Sequence, residues 1–459
     1  MRLLGLALVG VAAVAEATLG PRYGGELSVG VAALPTSLAP TVPRSAAARL
    51  LEGLVHETLV AITADGLPAP ALAAAWTTGA GGREVTLTLR EGARFHDERP
   101  LEALDAVRAL RRFLRGPGAA AARFARGLEG GASFRAGATD ELSGLVAVAS
   151  DRVVLRLTHP LALPLAPLAS PAAAVTGPGG VGCGPFVPTV WLPGRRVWLT
   201  AFGAHVRGRP YLDRVEVRAV DDPSVLSAEA RSGGLDLAYG EPGVSTLAAT
   251  LLLVLDPGRA PFREPAAREL VAASIDRTAL SRLVPGAEPA ASPLVPALLP
   301  PLGRDEARRS GSLAVATALA VATDVPPLAS QRVVAHLQAL GLTVRVLPSS
   351  PESVLAVPAE ARLLLWSPEV PEAELALEEL ADLAAAPAAA RASLDAAALE
   401  PDLDRRRAHL HRAETALGSE HVLVPLIAVP LAFGDRRGVH GFKIDLAGRL
   451  VLEDAWVEP

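Results

Sequence analysis

Hydrophobic and polar positions alternate most clearly over residues 84–90. Val85, Leu87 and Leu89 fall on one side there, the period of a strand with one buried face. Gly92 breaks the run, Pro100 suits a helix start, and Leu101, Leu104, Val107 and Leu110 repeat at helical spacing. The same reading predicts a strand over 26–31 and a helix whose apolar face is Leu50, Leu51, Leu54, Val55 and Leu59, with Ser45 able to cap it. His56 and Glu57 lie beside that face. No third donor follows locally, so the pair reads as a polar helix edge and not as metal ligands. Strands are expected at 144–149 and 153–157, turning at Ser150 and Asp151, and again at 197–200, 214–220 and 235–239. Pro160, Pro164, Pro167 and Pro171 end regular structure and mark a domain crossing. A helix begins near Pro265, with Asp276 capping its continuation. Strand 313–322, helix 328–340 closed by Gly341, and strand 342–347 form a β-α-β unit, which implies parallel strands. One more strand is expected at 362–366, helix over most of 372–417, and a last apolar run at 422–429.

A chain of 459 residues is too long for one core and implies two or three domains. The net charge of -5 is spread without a basic run, which removes support for nucleic-acid binding. Lys443 is the only lysine and asparagine is absent, so few side-chain amides are available to read a ligand. Residues 1–17 combine Arg2, an apolar run and small residues at Ala15 and Ala17. They read as a secretory signal peptide cleaved after Ala17, the run being shorter than the roughly 20 residues of a spanning helix. The apolar stretch 247–255 is shorter still, so the mature chain is expected to be soluble and extracytoplasmic. Cys183 stands alone and offers no lipid anchor at the cleavage site, no disulfide and no multi-cysteine metal site.

The run Gly177 to Gly184 contains G-x-G-x-x-G at Gly177, Gly179 and Gly182. A phosphate site needs that motif to open a helix, whereas here Pro185 and Pro188 follow, so a tight turn between domains is the better reading. The chain has no G-x-S-x-G, H-E-x-x-H or P-loop, and His409 and His411 are two apart and do not share a helix face. No enzyme, cofactor or metal is expected.

Several segments, taken in order, resemble the peptide-type extracytoplasmic solute-binding proteins of ABC importers, the oligopeptide- and dipeptide-binding family (family 5). They are Gly24-Gly25-Glu26-Leu27, Leu38-Ala39-Pro40, Phe95-His96-Asp97 with Pro100-Leu101, and Gly182-Cys183-Gly184-Pro185-Phe186 with Trp191. Gly208 to Asp213, Gly234-Leu235-Asp236 and Ala272 to Arg277 complete the set. The resemblance implies an α/β, two-lobe periplasmic-binding-protein fold with an extra domain inserted in the first lobe. The expected division is signal peptide 1–17, lobe I at 18–58, 172–260 and 431–459, inserted domain 59–171, and the second lobe at 261–430. It also implies capture of a small solute, first of all a short peptide, by a monomer that delivers it to a permease and its ATPase; the alternative is a non-transporting sensor or chaperone-like module. Family members hold the peptide's amino group with an acidic residue after a strand ending in Trp. The match is Trp366-Ser367-Pro368-Glu369, which makes Glu369 the ammonium ligand and Trp366 and Trp191 candidate walls. The competing readings are that Glu369 opens the acidic helix with Glu372 and Glu374, and that both tryptophans are core.

Overall fold

The computed structural model describes residues 20–41, 46–301, 311–435 and 438–458. The signal segment 1–17 and the Ser45 cap lie outside the described residues. The chain forms two α/β lobes joined through one sheet. Across it run Thr343–Ser349, Ala316–Ala322, Ala361–Trp366, Leu237–Leu255, Glu26–Val31, Arg214–Ala219, Arg196–Ala201 and Phe186–Leu192. Ala316–Ala322 is parallel to both neighbours, as the β-α-β pattern requires, and helix Pro327–Ala339 makes the crossover. Glu26–Val31 is likewise parallel to Arg214–Ala219 and to the start of Leu237–Leu255.

Leu237–Leu255 is the element the pattern did not reveal as one piece. The expected strand stops at Tyr239, just before Gly240, Pro242 and Gly243, and 247–255 shows no alternation. In the structure the strand passes from one lobe to the other, paired antiparallel with Leu423–Asp435 from Leu237↔Asp435 to Val254↔Leu423, with register shifts along the way. Its second half also pairs with Ala361–Trp366. Leu251, Leu252, Leu253 and Leu255 are fully buried because the strand is covered on both faces, which replaces alternation by a continuous apolar run.

The inserted domain has a four-stranded antiparallel sheet in the order Ala73–Gly79, Glu84–Leu89, Arg152–Arg156, Leu145–Ala149, covered by helices Ala103–Arg115 and Ala119–Gly127. Val85, Leu87 and Leu89 are buried as their alternation predicts. The helical face is different from the leucine spacing: Leu104 is 54% exposed, while Ala103, Ala106, Ala109, Leu110, Phe113 and Leu114 face the sheet. Alanines there bring helix and sheet close. Asp105 is also drawn inside, where it accepts the Glu102 amide and the Arg99 and Arg108 guanidinium groups.

The Phe95–Asp97 corner is structural. Phe95 is fully buried under the Arg99 guanidinium, His96 Nε2 meets Gly184 O at 3.0 Å, and Asp97 accepts the Arg99 amide. The glycine run turns through Gly179 and Gly180 at positive φ and enters the strand Phe186–Leu192, with no helix to hold a phosphate. A Cβ at Gly184 would stand 2.6 Å from Val55 C and 2.8 Å from His56 N, so the run lies against the end of helix Ala46–Val55.

Candidate functional site

In parallel sheets ligands gather beyond the carboxyl ends of the strands. In the second lobe that edge is formed by Asp324 after Ala316–Ala322, Pro351 after Thr343–Ser349, and Trp366 with Ser367 after Ala361–Trp366. It faces helix Ala46–Val55 of the first lobe. Arg49, only 5% exposed, reaches across from that helix and donates to Pro368 O at 2.9 Å and Ser367 O at 3.0 Å. Pro368 stops the strand from continuing, and the released carbonyls are the ones Arg49 takes. Burial pulls the Arg49 pKa down against the attraction of Glu379, Glu52 and Asp445.

Glu379 organises the same corner from helix Ala373–Leu383. Its carboxylate accepts Trp366 Nε1 at 3.2 Å and the Glu369 amide at 3.0 Å. The Glu369 carboxylate is 4% exposed and accepts the Ser170 hydroxyl from the junction with the inserted domain. Helix Ala373–Leu383 is capped by Glu372, whose carboxylate accepts the amides of Glu374 and Leu375. Asp324 completes the seam. Among the described residues its Oδ1 has no hydrogen-bond partner, and burial, aided by Glu352 and opposed by Arg49, raises its pKa to about 7. The Tyr239 phenol is pushed up by burial and by Asp324. Asp324 and Glu379 thus line one void with Arg49, and the space among them and Trp366 measures about 20 Å³. A void of that size holds about one water, so a solute is admitted only when the lobes part.

The structure brings Trp366 and Glu369 together around Glu379. Trp191 lies elsewhere, half-buried against the first-lobe core in the edge strand Phe186–Leu192. Four strands lie between it and Ala361–Trp366, which is five spacings or about 24 Å at about 4.8 Å each. His56 and Glu57, expected on a polar edge, are both buried: His56 Nε2 bonds Leu38 O at 2.6 Å, and Glu57 holds His205 at 3.1 Å and Arg207 at 2.9 Å. The helix ends at Val55, so its periodicity no longer decides where these two point. Arg49, Glu379 and Asp324 were not singled out from sequence. Asp324 could have been, because it directly follows a strand of the β-α-β unit. Arg49 carried no such signal, since its partners are main-chain carbonyls more than 300 residues away.

Among the described residues no helix is long and apolar enough to cross a membrane, and no group of three or more His, Cys, Asp or Glu could hold a metal. Residues 68–332 match the family model of bacterial extracellular solute-binding proteins, family 5, middle region. Protein XP55 of Streptomyces lividans is 30% identical over 250 residues, which are 51% of this chain and 42% of that protein. The periplasmic binding protein DppA of Helicobacter pylori, in complex with the peptide STSA, superposes with a TM-score of 0.80 at 18% identity, covering 94% of this chain and 99% of DppA. The murein tripeptide binding protein MppA of Escherichia coli gives 0.80 at 17% identity over 96% of this chain and 99% of MppA. Its unliganded open form gives 0.66, covering 95% and 98% of the two chains. The two-lobe fold, the strand-end seam between the lobes and the match over more than half its length make this chain a member of the family 5 bacterial extracellular solute-binding proteins.

Proposed function

We propose that the chain captures a small solute carrying a free amino group, a short peptide by first choice, between its two lobes and hands it to the permease and ATPase of an ABC importer. It does so outside the cytoplasmic membrane, as a monomer, and without turnover. One observation carries this reading: the Glu369 carboxylate is buried at the seam between the lobes, beyond the carboxyl end of Ala361–Trp366, with its amide held by Glu379 and its carboxylate bonded by the Ser170 hydroxyl. A charge-assisted hydrogen bond from an ammonium to this carboxylate contributes about 1.5–3 kcal/mol. The peptides bound by DppA and MppA support the choice of solute. Lobe closure follows because those contacts exist only when both lobes meet the solute.

Calorimetry with trialanine and its N-acetyl form tests the proposal. Trialanine binds, acetylation weakens binding by roughly 10- to 100-fold, the range that 1.5–3 kcal/mol implies, and Glu369→Gln weakens trialanine by a similar factor. Equal binding of blocked and free peptides removes the role given to Glu369. Silence across a library of free-amine peptides removes the peptide.

A further inference from the structure

A cavity of about 240 Å³ lies beneath helix Ala46–Val55, at the junction of the first lobe with the inserted domain. Its lining comes from residues 52–71, 171–174, 207 and 445–453, and none of it from the second lobe. Parting of the lobes therefore leaves it formed. Its walls carry Glu52, Glu57, Asp445 and Glu453 against two cations, Arg207 and Arg449. Arg449 is held by Asp445 at 2.6 Å, and Arg207 is shared between Glu453 at 2.5 Å and Glu57 at 2.9 Å. Glu52 faces no arginine at bonding distance among the described residues. Its Oε1 accepts the Thr41 amide and hydroxyl at 3.3 Å, its buried Oε2 has no partner among the described residues, and burial pushes the carboxyl pKa up to about 8.

His56 is placed in the same way. Its ring is 5% exposed, and the 2.6 Å bond from Nε2 to Leu38 O requires the proton on Nε2, which leaves the Nδ1 lone pair facing no described partner. The His56 amide donates to Glu52 O at 2.9 Å, and both residues line the cavity. An ammonium brought between them draws the proton off Glu52, whose acid is held near pKa 8 by burial, and can donate to both Oε2 and Nδ1. An ammonium has three N–H groups and the charge that Glu52 lacks. At the other end Glu57 is held by both His205 and Arg207, and Glu453 shares that one Arg207.

We infer that this cavity is a second ligand site, separate from the seam, for a small organic dication of diamine size, with one ammonium on Glu52 Oε2 and His56 Nδ1 and the other toward Glu453. Its volume equals roughly eight waters of about 30 Å³ each, enough for a four-carbon diamine and too small for a peptide. The site does not depend on the peptide reading of the seam.

Calorimetry with 1,4-diaminobutane tests it, with 1-aminobutane and 1-butanol as controls. The diamine binds saturably at one site, 1-aminobutane binds at least 10-fold more weakly, and 1-butanol does not bind. Glu52→Gln, close in shape to the native residue, loses at least 10-fold in diamine affinity while its circular dichroism spectrum and melting stay native-like. Ala61→Phe, from a half-exposed rim position, blocks the cavity without touching the charges. Trialanine leaves diamine binding unchanged, which separates this site from the seam. No saturable binding to the native chain, or native affinity in both variants, overturns the site; equal binding of 1-aminobutane overturns its second ammonium position.

Discussion

Asp324 stands just past the strand Ala316–Ala322 in a void that Arg49 of the opposite lobe helps to line. When the lobes part, that wall is removed and water reaches the carboxyl group. In the closed chain burial raises its pKa to about 7 from an ordinary 3.8, with Glu352 and the Tyr239 phenol also facing it and Arg49 opposing. A raised carboxyl pKa means that the closed form binds the proton more tightly than the open form. Closure is therefore favoured in full below about pH 4 and is weakened as pH rises through 7, by up to about 1.4 kcal/mol per unit between the two values. Small-angle scattering should find the native chain more compact at pH 5 than at pH 8, and Asp324→Asn should flatten that difference; an undiminished difference in the variant places the titration elsewhere. At this scale the sequence was readable where one residue type does one job. Asp276 caps its helix through the Ala279 amide, and Asp97 closes its turn. It was unreadable where a side chain reaches a distant partner, as Arg49 does, or where alanine replaces leucine on the packed face, as in Ala103–Arg115.

Helix Ala119–Gly127 of the inserted domain meets helices Ala373–Leu383 and Leu403–Ser419 of the second lobe through buried charges. Arg123 holds Glu374 at 2.7 Å, Arg406 holds Glu372 at 2.7 Å and Glu374 at 2.9 Å, and Arg126 reaches Glu378 at 2.6 Å. Val370 and Leu375 add apolar contact by entering the inserted-domain core. Buried pairs of this kind contribute little over an apolar substitute, yet breaking one partner alone is costly. Arg123→Met leaves Glu374 with one cation instead of two and should lower stability by about 3–5 kcal/mol in urea unfolding. Adding Glu374→Leu should recover most of that loss, because Arg406 keeps Glu372. Strictly additive losses in the two variants would show that the pair is not coupled. Elements that rest on local pattern, the β-α-β unit and the hairpin strands Leu145–Ala149 and Arg152–Arg156, were legible in the sequence within a few residues. The crossing strand Leu237–Leu255 was not, since its breakers sit where the register shifts and its apolar half is covered on both faces.

At the scale of the whole molecule the lobes are closed, and Arg49 bridges them at the seam beside the ion network of Arg123 and Arg406. Its donors meet Ser367 O and Pro368 O, the carbonyls that an extended peptide laid beside the end of Ala361–Trp366 would itself use. A solute that takes these carbonyls displaces the guanidinium. The contact therefore stabilises the closed, ligand-free form and adds nothing to the bound form. Hydrogen bonds from a charged group are worth about 1.5–3 kcal/mol, so loss of Arg49 should move the ligand-free population toward the open state by that order. Because capture starts from the open state, the fraction able to bind rises with it. Arg49→Met, similar in length and uncharged, should enlarge the radius of gyration of the ligand-free chain and tighten trialanine binding several-fold, with circular dichroism confirming the fold. A larger radius with weaker binding would mean that Arg49 also grips the solute, and an unchanged radius would mean that the ion network around Arg123 and Arg406 holds the lobes closed without it.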